Sequence, residues 1–172
     1  MDCKTLYVSE SNYSGATDGS SIKFTLWINN ASINGTLALA NVTVRYYFKS
    51  AIQPLGYQTH CYYASDQNQS NAGGATITSD VSFEPGSTQS TTPGAAYYYE
   101  ISFASSVPPM IAAPGGYASI QVEIDGSSGS FTPTTDYSYI AGAATANSQG
   151  TAIANPHITG YLSGALVWGT EP

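Results

Sequence analysis

Tyr161-Leu162-Ser163-Gly164-Ala165-Leu166-Val167-Trp168-Gly169-Thr170-Glu171-Pro172 decides the fold class of this chain. Two short apolar runs flank Ser163-Gly164, the pattern of two strands joined by a tight turn. Longer runs elsewhere repeat the theme. In Asn41-Val42-Thr43-Val44-Arg45-Tyr46-Tyr47-Phe48, the residues Val42, Val44, Tyr46 and Phe48 fall on one face, opposite Thr43, Arg45, Tyr47 and Lys49. Phe24, Leu26 and Ile28 oppose Lys23, Thr25 and Trp27. Tyr97, Tyr99, Ile101 and Phe103 oppose Tyr98, Glu100 and Ser102, and Ile120, Val122 and Ile124 oppose Gln121 and Glu123. Alternation of this kind marks half-buried strands.

Turn-forming residues separate these runs: Asn34-Gly35, Pro54-Leu55-Gly56, Pro85-Gly86, Pro93-Gly94, Pro114-Gly115-Gly116 and the stretch from Asp125 to Gly129. No window carries a helical period, and no internal repeat is visible. Short strands between Gly and Pro turns predict an all-β, antiparallel sandwich or jelly roll. Residues 1–172 read as a single domain. Asn68 to Gly74 and Gly142 to Gly150 are poor in apolar residues and are expected to be surface loops.

Composition narrows the function. Only 9% of the residues are charged, against about 25% in ordinary domains. The net charge is −7, and all four cations (Lys4, Lys23, Arg45, Lys49) lie in the first 49 residues. Nucleic acid and anionic membrane surfaces need clustered cations, so both are excluded as partners. No apolar run reaches the length of a membrane-spanning helix. A surface of hydroxyls, amides and 14 tyrosines suits an uncharged polymer. Cys3 and Cys61 are compatible with one extracellular disulfide, but their spacing does not establish a bond.

Catalysis finds little support. A glycosidase needs two convergent carboxylates, and Glu100 and Glu123 both fall on polar strand faces. The competing reading pairs Glu100 with Arg45 on a neighbouring strand. His60 and His157 have no metal-ligand spacing, and there is no nucleophile elbow, phosphate loop or Cys-X-X-Cys. Aromatic rings on solvent-facing sheets stack on sugar rings. By alternation, Tyr47, Tyr98, Tyr62 or Tyr63, Tyr137 and Trp27 are candidates, although most tyrosines in such a chain fill or flank the core.

Five segments, in order, resemble family 3 carbohydrate-binding modules. They are Val42 to Phe48 with Cys61 after it, Ile77 to Val81, Tyr99 to Phe103, Asp136 to Tyr139, and the C-terminal hairpin. The resemblance implies a jelly roll of about nine strands. It also implies a non-catalytic, monomeric module of a secreted or cell-surface protein, of the kind found in cellulosomes and cellulose degradation. The implied partner is cellulose or another neutral plant glycan. The alternative is a helper module that has lost cellulose binding and packs against a catalytic domain or linker.

Cellulose-binding members of that family build a planar strip from an Asp-His pair, a Tyr, an Arg and a Trp. Here the corresponding positions are Tyr62-Tyr63, the neighbourhood of Gly74, Glu123, and Ser127-Ser128-Gly129. Tyr62 and Tyr63 are what the resemblance leaves of the planar face. Micromolar binding corresponds to about 8 kcal/mol, and a stacked ring contributes about 1–3 kcal/mol. Two tyrosines therefore need further contacts. The family's shallow groove on the opposite sheet maps to Arg45, Tyr47, Glu100 and Tyr137, a set suited to a glycan chain or a peptide linker.

Many members also hold structural calcium. Thr132, Thr135 and Asp136 match ligand positions, but Lys49 and Ala51 stand where further oxygen donors are usual. Calcium takes six to eight oxygens. No cofactor is therefore expected to be required, calcium is expected to be absent or dispensable, and a Lys49–Asp136 pair is expected in its place.

Overall fold

The computed structural model describes residues 6–15, 19–32, 35–49, 58–67, 77–87, 94–107, 110–111, 116–126, 129–144 and 151–172. The strands are β1 (Leu6–Gly15), β2 (Ser21–Asn30), β3 (Thr36–Leu37), β4 (Val42–Phe48), β5 (Gln58–Gln67), β6 (Val81–Ser87), β7 (Tyr97–Phe103), β8 (Met110–Ile111), β9 (Tyr117–Asp125), β10 (Ile153–Ala154), β11 (Thr159–Leu162) and β12 (Ala165–Trp168). Nine of them have four residues or more, in keeping with the expected jelly roll. No α-helix occurs among the described residues, only short 3-10 turns.

Two five-stranded sheets carry the fold, in the orders β10-β1-β2-β9-β5 and β12-β11-β4-β7-β6, with β3 and β8 as a separate ribbon. Every pairing is antiparallel. The apolar phase of each strand faces the other sheet. Leu6, Val8, Phe24, Leu26, Ile28, Ile120 and Val122 are buried from one side, and Val42, Val44, Tyr46, Phe48, Tyr99 and Ile101 from the other. Phe24 and Tyr46 stack between the sheets, with centroids 4.4 Å apart and planes 20° from parallel. Truncating Phe24 to Ala would cost about 3–5 kcal/mol through lost burial and the cavity left behind.

The C-terminal hairpin forms as its sequence predicts, with Leu162 opposite Ala165. Ser163 and Gly164 have φ of 50° and 82°, both left-handed as a primed two-residue turn requires. Strand β11 then pairs with β4, so the hairpin extends the sheet that begins at Val42.

A buried polar network around Glu10 sits within this apolar frame. Glu10 shares the inward phase of Leu6 and Val8 and is fully buried. Asn155 donates from Nδ2 to Glu10 Oε2 (2.9 Å) and to the Ser138 carbonyl (2.7 Å), while its Oδ1 accepts the His157 amide. Glu10 Oε1 has no hydrogen-bond partner. Burial raises the Glu10 pKa to about 8, against the opposing hydrogen bond from Asn155, so the carboxyl is mainly neutral at pH 7. Of the loops expected from composition, 68–74 lies outside the described residues, and Ala141–Ala144 forms a 3-10 turn at the start of the other.

Candidate carbohydrate-binding faces

The two expected faces lie on opposite outer surfaces of the sandwich. The first is the outer side of β1-β2-β9-β5. Its register aligns Lys23 with Glu123 and His60, then Thr25 with Gln121 and Tyr63, then Trp27 with Ser119 and Ser65. Simple alternation would place only one of Tyr62 and Tyr63 outside. A bulge between Cys61 and Tyr63 breaks the phase: Cys61 pairs with Val122 and Tyr63 with Gln121, leaving Tyr62 as the extra residue. Both rings are therefore exposed, at 53% and 44%.

The rings are held differently. The Tyr62 hydroxyl donates to the Glu123 carboxylate, and the Lys23 ammonium lies 4.3 Å from the ring centroid. His60 stacks beside it at 6.0 Å. The hydrogen bond to Glu123 is the main cause of a raised Tyr62 pKa, and the same bond lowers that of Glu123. Tyr63 shares a 2.5 Å hydroxyl contact with Ser65. Trp27 is half-buried, donates from Nε1 to Ser11 Oγ (2.7 Å), and meets Tyr117 edge-on at 5.2 Å.

The second face is the outer side of β4, β7 and β11. Arg45 and Glu100 are direct cross-strand partners, with Nε donating to Oε2 at 2.8 Å. The guanidinium lies over the Tyr98 and Tyr161 rings, at 4.7 and 4.6 Å. Tyr161 donates its hydroxyl to Glu171 (2.6 Å), and Glu171 lies 3.9 Å from Arg45. Tyr137 stacks on His157 at 4.6 Å and donates to the Thr170 carbonyl.

Tyr47 corrects the expectation of an open groove. It is on the outward phase, yet it is only 3% exposed. Its hydroxyl is 2.9 Å from Thr159 Oγ1, and Tyr98 and Tyr137 meet its ring edge-on. Side chains from β7, β11 and the segment at Tyr137 close around it, which alternation along β4 could not reveal. What remains is a pocket of about 180 Å³ lined by Arg45, Tyr47, Tyr98, Glu171 and Pro172. That is below the usual range of about 300–1,000 Å³ for small-molecule sites.

Glu100 and Glu123 do not converge. They belong to different sheets and point outward on opposite sides, and Glu100 is taken up by Arg45. A two-carboxylate glycosidase centre is not assembled by this pair.

At the candidate calcium position, the 3-10 turn Pro133–Thr135 presents Asp136 inward and leaves Thr132 and Thr135 exposed. The expected Lys49–Asp136 ion pair is replaced by a different contact. The Lys49 backbone amide donates to Asp136 Oδ1 (2.9 Å), while the Lys49 side chain is exposed. The backbone passes close enough to use the carboxylate, and the ammonium stays in water, where its hydration is retained. Asp136 Oδ2 is buried without a partner, and burial raises this carboxyl to about 8. The Thr132 carbonyl already accepts both the amide and the hydroxyl of Thr135. One free carboxylate oxygen is far from a calcium set, and no cluster of three His, Cys, Asp or Glu occurs among the described residues. Ala51 lies outside them, as does Cys3. The Cys61 thiol contacts the Tyr63 carbonyl at 3.6 Å.

The chain matches the cellulose binding domain family CBM_3 over residues 7–169 and belongs to that family of non-catalytic carbohydrate-binding modules. It is 34% identical over 139 residues to a xyloglucanase from Paenibacillus sp., covering 79% of this chain but 12% of that enzyme. Among solved structures it is similar to the CBM3a-L domain of the scaffoldin cipA of the Clostridium thermocellum cellulosome. That match has a TM-score of 0.79 and 28% identity, covering 99% of this chain and 92% of the other. A family IIIa cellulose-binding domain from Clostridium cellulolyticum shares the fold at TM-score 0.80 and 24% identity, with both chains fully covered. No helix among the described residues is long and apolar enough to cross a membrane.

Proposed function

We propose that this module binds a neutral β-linked glucan, cellulose or a related plant polysaccharide, and holds a secreted or cell-surface protein against it. The observation that carries this reading is the exposure of Tyr62 and Tyr63 side by side on the outer face of β5, created by the bulge at Cys61. Leaving two such ring faces exposed to water gains nothing for the fold, whereas stacking on sugar removes apolar area from water. Because the ligand is uncharged, retention should not depend on salt.

The experiment is a depletion assay on microcrystalline cellulose, amorphous cellulose and xylan, with the wild type and a Tyr62→Ala/Tyr63→Ala variant. The wild type should be retained on at least one glucan in low and high salt, and the folded double variant should lose that retention. Retention that vanishes in high salt would overturn the reading.

A second reading, a helper module packed against a catalytic domain or linker, is favoured by the closed groove, where Tyr47 is covered and Arg45 is engaged by Glu100, Tyr98 and Tyr161. A folded wild type retained on none of the polymers would select it. In either case calcium is proposed to be dispensable. Chelator should leave the melting temperature unchanged, and a large drop would show that donors beyond those described complete a site at Asp136.

A further inference from the structure

Six small polar residues on the outer phases of β1, β2, β5 and β9 are buried although they point away from the core: Ser9, Ser11, Thr25, Asn29, Ser65 and Ser119. Short side chains make a low floor, and aromatic side chains lie across it. Trp27 reaches over β1 to Ser11, and Tyr63 reaches along β5 to Ser65. Tyr117, at the start of β9, meets Trp27 edge-on with planes 64° apart. The exposed tyrosines are thus one end of an aromatic run that continues inward across the sheet.

We propose that Trp27 and Tyr117 form a second subsite on this face, and that the whole run takes a single, non-crystalline β-linked glycan chain rather than the flat surface of a crystal. The proposal deepens the glucan-binding reading above and rests on it. Register sets the distance between subsites. Trp27 is one outward position along and two strands across from Tyr63, which is roughly 12 Å at about 3.3 Å per residue and about 4.8 Å per strand. That separation is comparable with a disaccharide, so one chain can touch both.

Ring planes decide the form of ligand. A crystal face needs coplanar rings. Trp27 and Tyr117 make a corner, and the Lys23 ammonium sits over Tyr62. A flexible chain can turn from one ring plane to the next, while a flat lattice touches only the rings that happen to lie in its plane. Charge suits a neutral glycan: the rows of Thr25–Gln121–Tyr63 and Trp27–Ser119–Ser65 are uncharged, and Lys23 and Glu123 offset each other at one end. Gln121 supplies the amide of the middle row for sugar hydroxyls.

The test titrates cellohexaose and measures retention on amorphous and microcrystalline cellulose, for the wild type, Trp27→Ala, Tyr117→Ala and Tyr62→Ala/Tyr63→Ala. Thermal melts confirm folding. Because Trp27→Ala removes the bond to Ser11, a Trp168→Phe background gives an independent readout in which Trp27 is the remaining tryptophan and its emission reports ligand directly. Expected results are a shift of Trp27 emission with cellohexaose, about tenfold weaker binding for Trp27→Ala and for Tyr117→Ala, and preference for amorphous over microcrystalline cellulose. Unchanged affinity in folded Trp27→Ala and Tyr117→Ala, with loss in the Tyr62/Tyr63 variant, would overturn the second subsite and leave glucan binding standing. Preference for microcrystalline cellulose would overturn the single-chain assignment. A wild type that binds none of the three probes would overturn this proposal together with the reading it rests on.

Discussion

Tyr62 donates its hydroxyl to Glu123 on the neighbouring strand, while Lys23 on the strand beyond lies over its ring. An exposed side chain on a bulge is thereby fixed from two sides. Changing Glu123→Gln removes the negative charge that holds the phenol protonated. The Tyr62 pKa should then fall back toward the ordinary tyrosine value, followed by ultraviolet absorbance titration of phenolate against a Tyr62→Phe control. No change would mean that the contact is not maintained in solution.

Glu10 gives the molecule a pH dependence of definite sign. Its folded pKa is raised to about 8 from an ordinary value near 4.5, so the folded state holds the proton more tightly than the unfolded chain. That stabilisation is complete below the unfolded value and declines as pH rises through the folded one. Thermal melts should therefore show higher stability at pH 5 than at pH 8. Glu10→Gln should flatten part of the slope, with Asp136 supplying the remainder by the same logic. A melting temperature that rises from pH 5 to pH 8 would contradict the neutral, buried carboxyl.

Arg45 ties three strands of the second sheet. Arg45→Ala should destabilise the fold by about 1–3 kcal/mol, because it strips Glu100 of its partner and Tyr98 and Tyr161 of a cation. Arg45→Lys should recover only part of the loss, since an ammonium cannot make the same flat contacts. Urea unfolding measures both. Glucan retention at the opposite face should be untouched by either change.

The hairpin turn offers a gain. Ser163 holds a left-handed φ of 50°, a region that non-glycine residues occupy at a cost of about 1–2 kcal/mol. Ser163→Asn would create the Asn-Gly pair favoured in such turns and should raise stability by about 0.5–1 kcal/mol. Gly164→Ala, at φ 82°, should lower it. Equal melting temperatures for the three proteins would show that the turn relaxes.

Period-two alternation made the sandwich legible, because each apolar strand face needed a second sheet to cover it. The same rule could not see local breaks or distant partners. Tyr62 and Tyr63 share a surface only because Cys61 keeps its place opposite Val122 and the bulge absorbs the extra residue. Tyr47 looked exposed until Thr159 and Tyr161, more than 100 positions away in sequence, covered it. Glu10 follows the inward phase of Leu6 and Val8, yet a carboxylate there runs against the ordinary reading of a charged side chain as surface. Tyr117 and Trp27 are diagonal neighbours across the β2–β9 pairing, where Tyr117 faces Asn29 and Trp27 faces Ser119, and that register depends on the fold.

The carboxyls of Glu10 and Asp136 also alter how the molecule behaves in an electric field. The formal charge of −7 counts both as anions. With each raised to about 8, both are mainly protonated at pH 7, and the effective charge is nearer −5. Electrophoretic mobility of the folded protein at neutral pH should therefore be lower than its composition implies. Unfolding should release about two protons to the buffer, so the interior works as a small proton store whose contents are set by the fold.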